Sequence, residues 1–287
     1  MTALDAVKQL IHSATIEDAI NVIGVGVLAV WLLRTSLGRT SLAHSRPRRN
    51  SLSPITALVP FVVWILGSYA LSLTVMAIAG VLKGEVDAIA ANIVYCVVGV
   101  LTAALILVLA RMHFARGLKG FGLNPRTVPR DAGAALVKLL AVWPLVYTAV
   151  VITTVIGRMM EGQDFDIPRH EALKVVSEYP DFWMKFLTVA TAVVVAPCME
   201  EMLWRGLFQT TIRTYVGRPW LAISVTALLF AMIHAQSTHW PALFVLAMGL
   251  GYAYERSGSL FQSIFMHALF NGSVVLATLV ESMRGGS

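Results

Sequence analysis

The stretch from Pro54 to Leu82, PITALVPFVVWILGSYALSLTVMAIAGVL, holds no charged residue. A helix that crosses a bilayer needs about 20 mostly apolar residues, so this run alone is long enough to span one. Further apolar runs lie near residues 18 to 34, 88 to 110, 134 to 157, 182 to 208, 219 to 236, 240 to 255 and 259 to 280. An isolated strand would leave backbone groups unpaired in lipid, so each run is read as a helix. The expected fold is all-α, a polytopic membrane bundle of about eight transmembrane helices.

Composition agrees with that reading. Of the 287 residues, 57% are hydrophobic and 13% charged, where an ordinary soluble domain carries about 25% charged residues. A typical soluble enzyme is thereby excluded. The net charge is +6, but the arginines fall in short loops between apolar runs, where they set topology, and nucleic acid is not an expected partner. One basic loop carries Arg34, Arg39, Arg46, Arg48 and Arg49, and another carries Arg111, Arg116, Lys119, Arg126 and Arg130. The positive-inside rule puts both in the cytoplasm. The acidic segment with Asp164, Asp166, Glu171, Glu178 and Asp181 then takes the opposite face, and alternation leaves both termini outside. In a prokaryote such a protein sits in the cell membrane.

The first apolar run is too long, and too poorly cationic at its start despite Lys8, for a cleaved signal peptide, so it is read as a retained span. The Ser-, Arg- and Pro-rich stretch from Thr40 to Pro54 reads as a loose tether. It divides the chain into residues 1–53, a first helix with a basic loop, and a seven-helix body over 54–287. Cys96 and Cys198 lie in apolar surroundings and read as small core residues rather than a disulfide framework.

The charges that break this pattern lie in APCMEEMLWRGLF, residues 196–208, where Glu200, Glu201 and Arg205 are flanked on both sides by apolar residues. Each costs about 2.5 to 3.5 kcal/mol at mid-membrane, so the helix requires polar partners elsewhere in the protein. Glu201 and Arg205 are four apart, in the favourable order for an ion pair on one helix face. Glu200 points about 100° away from Glu201, so one carboxylate can be structural while the other is free for chemistry. Pro197 weakens the helix hydrogen bonding just before them.

Two more polar sets follow. Phe230 and His234 share a face in LLFAMIHAQ, as do His267 and Asn271 in FMHALFNGS. Counted from Arg213, Arg218 and Arg256 at the inner edge, Glu200 lies about 20 Å deep, His234 about 24 Å and His267 about 16 Å, so the three sets can meet inside the bundle. A carboxylate with an imidazole can hold and deprotonate a water molecule, and Glu200 with His234 is the pair chosen here. The second imidazole and the Asn271 amide suit a developing oxyanion. Peptide hydrolysis inside the membrane is the chemistry these groups support.

Glu200, His234 and His267 are equally a donor set for a divalent metal such as zinc, so metal-bound and Glu-activated water both stay open at this point. No H-E-x-x-H is present, His239 beside Trp240 reads as interfacial, and no Asp lies deep in a span for an aspartyl dyad. Deep Ser residues such as Ser224, Ser263 and Ser273 lack a Gly-flanked nucleophile turn.

The three motifs resemble those of the CPBP family, the CAAX proteases and bacteriocin-processing enzymes, which includes the type II CAAX prenyl endopeptidases. EExxxR is matched by Glu200, Glu201 and Arg205, FxxxH by Phe230 and His234, and HxxxN by His267 and Asn271. The resemblance covers residues 183–280. It implies an all-helical intramembrane endopeptidase in which Glu200 and His234 activate water, His267 and Asn271 form the oxyanion site, and Glu201, Arg205 and Phe230 support them. The family is often labelled as metalloproteases, and a water activated by Glu without a metal is also proposed for its prenyl endopeptidases. Relatives include peptide-maturation and immunity proteins as well as CAAX proteases. The implied substrate is a membrane-associated peptide or a prenylated, CAAX-type protein, with the lipid bilayer as the other partner. Two further functions fit a buried Glu and His: a non-proteolytic membrane scaffold or regulator of the same fold, and a proton-coupled transporter, for which no inverted repeat is found.

Overall fold

The computed structural model describes residues 16–81, 88–178 and 181–285. Lys8, on which the reading of a retained first span drew, lies outside these residues. The elements in chain order are α1 Ile16–Arg34, α2 Pro54–Val81, α3 Ala88–His113, the short α4 Gly117–Phe121, α5 Val128–Glu161, α6 Glu171–Glu178, α7 Phe182–Val216, α8 Pro219–Met232, α9 Trp240–Ser257 and α10 Leu260–Gly285. Among the described residues there is no strand, only an isolated antiparallel bridge between Asn50 and Phe114. The fold is an all-α membrane bundle.

Five of these helices are long and apolar enough to cross a membrane, over Pro54–Ala79, Asn92–His113, Pro125–Glu161, Phe182–Val216 and Leu260–Met283. The other three runs that were read as spans also form helices, but by length and composition they fall short. α1 begins on Glu17 and Asp18 and ends on Arg34, α8 has only 14 residues, and α9 closes on Glu255 and Arg256. α7 runs past the expected end at residue 208, so Arg213 lies within a helix rather than a loop. There its Nε donates to Glu255 Oε1 on α9 at 2.9 Å, an ion pair that is almost wholly buried.

The stretch from Thr40 to Pro54 does not hang free. Ser41, Leu42 and Leu52 are buried. Arg48 lies 4.0 Å over the Tyr254 ring and donates to the Gly120 carbonyl at 3.0 Å, and Ser51 N–H donates to His113 O. Arginine supplies both a flat cation for the ring and directed N–H groups, which turns a basic loop into a docked one. α1 is held as well: Trp31 Nε1 donates to the Tyr252 hydroxyl at 2.8 Å.

A second buried polar set stands at the start of α5 and α10. Asp131 accepts from Ser259 Oγ at 2.6 Å and from Gln262 Nε2 at 2.7 Å, while Lys138 donates to the same glutamine. No motif marks it, yet each group finds a partner, as burial demands.

The close contact of α7 with α9 matters most for the site. Arg205 and Gln209, one turn apart on α7, donate to the carbonyls of Ala247 and Gly251, one turn apart on α9, at 3.2 and 3.1 Å. Small residues let the two backbones approach this closely. A Cβ on Gly251 would lie 2.7 Å from Gln209 Oε1 and 2.9 Å from the Ile223 side chain. Gly251→Ala is expected to destabilise the folded state by about 1 to 3 kcal/mol through overpacking. Thermal unfolding in detergent checks this, and an unchanged melting temperature would contradict the packing described.

Candidate active site

α7 changes its winding twice around the charged cluster. Thr191–Val195 and Met202–Gln209 are π-helical, and Ala196–Glu201 between them is α-helical. Pro197 has no N–H to donate to the carbonyl four residues back, which accounts for the looser winding that ends just before it. Asn271 on α10 reaches this segment and donates from Nδ2 to the Ala192 carbonyl at 2.8 Å. The amide thus holds α10 against the part of α7 whose own hydrogen bonding is irregular. π-segments inside α-helices occur frequently at functional sites.

The two adjacent glutamates have separate surroundings. Glu201 has no exposed surface, and its Oε1 accepts from Arg205 Nη1 at 2.8 Å and pairs with His267 Nδ1 at 2.9 Å. Arg205 is itself buried, with Nη2 on the Ala247 carbonyl and its guanidinium 4.7 Å over the Phe230 ring. The ion pair read from the i, i+4 spacing is therefore present and closed to solvent. Glu200 is only half-buried, and its Oε1 accepts from the Tyr95 hydroxyl on α3 at 3.1 Å.

His234 lies just past the end of α8, not within it. Its backbone N–H donates to Ala231 O, while its ring Nδ1 sits 2.8 Å from the Phe230 carbonyl. The side chain takes the carbonyl that a continuing α-helix would have used, and Trp240 Nε1 then takes the His234 carbonyl at 2.9 Å. This accounts for the early end of α8, short of the expected residue 236. A carbonyl can only accept, so Nδ1 carries the proton and the neutral ring has its free lone pair on Nε2. Phe230 stands between the two histidines, its ring centroid 5.0 Å from that of His234 and 5.9 Å from that of His267.

All three motifs therefore converge on Phe230 and Arg205. His267 is buried and tied to Glu201, so one ring nitrogen is committed to the structural pair and Nε2 is left for chemistry. His239 lies apart from this cluster, with Nε2 2.9 Å from the Pro168 carbonyl. Among the described residues no group of three His, Cys, Asp or Glu side chains could hold a metal ion.

The contact that sequence reading passed over is that of Tyr95 with Glu200. A tyrosine within an apolar helix more than a hundred residues from Glu200 carries no local signal.

Comparison with known proteins adds a family to this geometry. Residues 182–273 match the model of the family described as type II CAAX prenyl endopeptidase Rce1-like. That segment contains Glu200, Glu201, Arg205, Phe230, His234, His267 and Asn271, so the family match and the motif resemblance fall on the same residues. The chain is 33% identical over 85 residues to an uncharacterized 24.3 kDa protein of Escherichia coli, an overlap of 28% of this chain. It spans 39% of that relative's length. No solved structure matches the chain significantly.

Removing Arg205 would leave Glu201 buried with an uncompensated charge. Breaking a buried pair in this way costs about 3 to 5 kcal/mol, so Arg205→Ala is expected to lower the melting temperature and the folded yield strongly. Arg205→Lys should restore only part of the loss, because one ammonium cannot reproduce the planar fork that reaches Glu201 and Ala247 and stacks on Phe230. Equal thermal stability of all three proteins would contradict a structural role for the pair.

Proposed function

We propose that this membrane protein is an intramembrane endopeptidase in which Glu200 and His234 activate the attacking water. The observation that carries the reading is the division of the two glutamates. Glu201 is closed to solvent and tied through Oε1 to Arg205 and His267, whereas Glu200 is half open and keeps one oxygen outside its bond to Tyr95. The family match over residues 182–273 supports a CAAX-type protease in the same segment.

In this reading the His234 lone pair on Nε2 and the free Glu200 oxygen share a water. Glu200 takes a proton as the water oxygen bonds to the peptide carbonyl carbon. The carbonyl oxygen becomes an oxyanion, and the second Nδ2 hydrogen of Asn271 with the His267 ring at Nε2 forms the site that receives it. Collapse breaks the C–N bond, and Glu200 returns its proton to the leaving amine. Glu201 takes no proton in this scheme; it holds His267 and Arg205 in place. The substrate is a membrane-associated peptide or a prenylated, CAAX-type protein. The basic loops after α1 and α3 face the cytoplasm by the positive-inside rule.

The test uses purified protein in liposomes with a fluorogenic peptide, offered with and without a farnesylated cysteine. Glu200→Gln and His234→Ala are each expected to lower turnover by about two to four orders of magnitude, the usual share of general acid–base catalysis, while the protein stays folded. Chelation of divalent metal is expected to leave wild-type turnover unchanged. A folded Glu200→Gln protein with near-normal turnover would overturn the assignment. Absence of cleavage by wild type would leave the scaffold as the working model.

A further inference from the structure

α3 lies outside the segment matched to the family, yet it is joined to α7 by polar side chains along one face. Asn92 Nδ2 donates to Thr188 Oγ1 at 3.2 Å, Cys96 Sγ lies 3.0 Å from Thr191 Oγ1, and Tyr95 Oη donates to Glu200 Oε1 at 3.1 Å. Asn92 and Cys96 are one turn apart and fix the register of the two helices in a setting where apolar packing alone discriminates poorly. Tyr95 lies between them in sequence, and that register brings its hydroxyl to the carboxylate. The ring is backed by Trp64 of α2, edge-on with centroids 6.5 Å apart and planes at 84°. α2 and α3 together hold one phenol against the half-open glutamate.

We propose that Tyr95 is the positioning residue for Glu200: its hydroxyl fixes Oε1 and so aims the second oxygen at the water that Glu200 deprotonates. The role rests on the protease reading of Glu200. A phenolic hydroxyl suits the task because it donates one directed bond to a carboxylate and brings no charge of its own. Without that bond the carboxylate can turn about its side-chain torsions and lose the attack geometry, in which small misplacements cost large factors in rate. Tyr95 touches neither water nor substrate in this scheme and acts only through Glu200.

The experiment measures kcat and KM for wild type, Tyr95→Phe, Glu200→Asp and the double variant in liposomes, with thermal unfolding of each. Tyr95→Phe removes only the hydroxyl and keeps the ring against Trp64. It is expected to lower kcat by about ten- to a hundredfold, the weight of one hydrogen bond to a charged group, with KM and melting temperature little changed. Because both changes act on the same carboxylate, the double variant should be no slower than Glu200→Asp alone. A Tyr95→Phe protein with wild-type kcat overturns the role, as do losses that multiply in the double variant. A fall in melting temperature with kcat intact would make Tyr95 a packing residue and also overturns it. Wild type that cleaves nothing overturns the protease reading and this role with it, whereas wild type that cleaves beside an equally fast Tyr95→Phe overturns this role alone.

Discussion

The buried pair of Glu201 and Arg205 is the constraint to which the rest of the bundle conforms. Two charges in the middle of an apolar helix are costly to insert, and attraction within the pair offsets that cost only when the remaining polar atoms also find partners. The surrounding structure supplies most of them. Ala247 offers a carbonyl, Phe230 offers a ring face, and His267 offers a ring nitrogen to the Glu201 oxygen that Arg205 already uses. The first of these depends on a close helix approach that α9 allows by being small where α7 crosses it. The pair thereby orders four helices, α7 through α10, around one point.

With one carboxylate closed to solvent and tied to a cation, its neighbour differs from it in exposure and in partner. Glu200 points to another helix, is half open, and has a single neutral donor on one of its oxygens. His234 complements it. Because the Phe230 carbonyl holds Nδ1–H, the ring offers a lone pair at Nε2 without needing a carboxylate partner of its own. In the proposed reaction the side chain that interrupts α8 is also the side chain that acts.

Much of this was legible from spacing. The ion pair follows from four residues on a helix, the divergence of Glu200 from one residue's rotation, and the pairing of Phe230 with His234 from the same periodicity. The apolar runs gave the helices, though hydrophobicity could not say which are long enough to cross, because α8 ends where a histidine ring competes for a carbonyl. What stayed hidden depends on contacts distant in sequence. Tyr95 meets Glu200 across two helices. His267 turns Nδ1 to Glu201, and Asn271 bonds to the Ala192 carbonyl. The Thr40–Pro54 stretch looked like a tether by composition, yet Arg48 finds Tyr254 and Gly120, partners that no local pattern encodes.

A scaffold would use the same buried pair for stability alone and would have no need of an accessible Glu200 or of an imidazole oriented by a backbone carbonyl. The decisive comparison is between native membranes holding wild type and membranes holding folded Glu200→Gln, with mass spectrometry recording every peptide terminus in each. Hydrolysis by this site predicts a set of new termini on membrane-associated proteins that appears only with wild type. Identical termini in the two membranes, with both proteins folded and equally abundant, would contradict it.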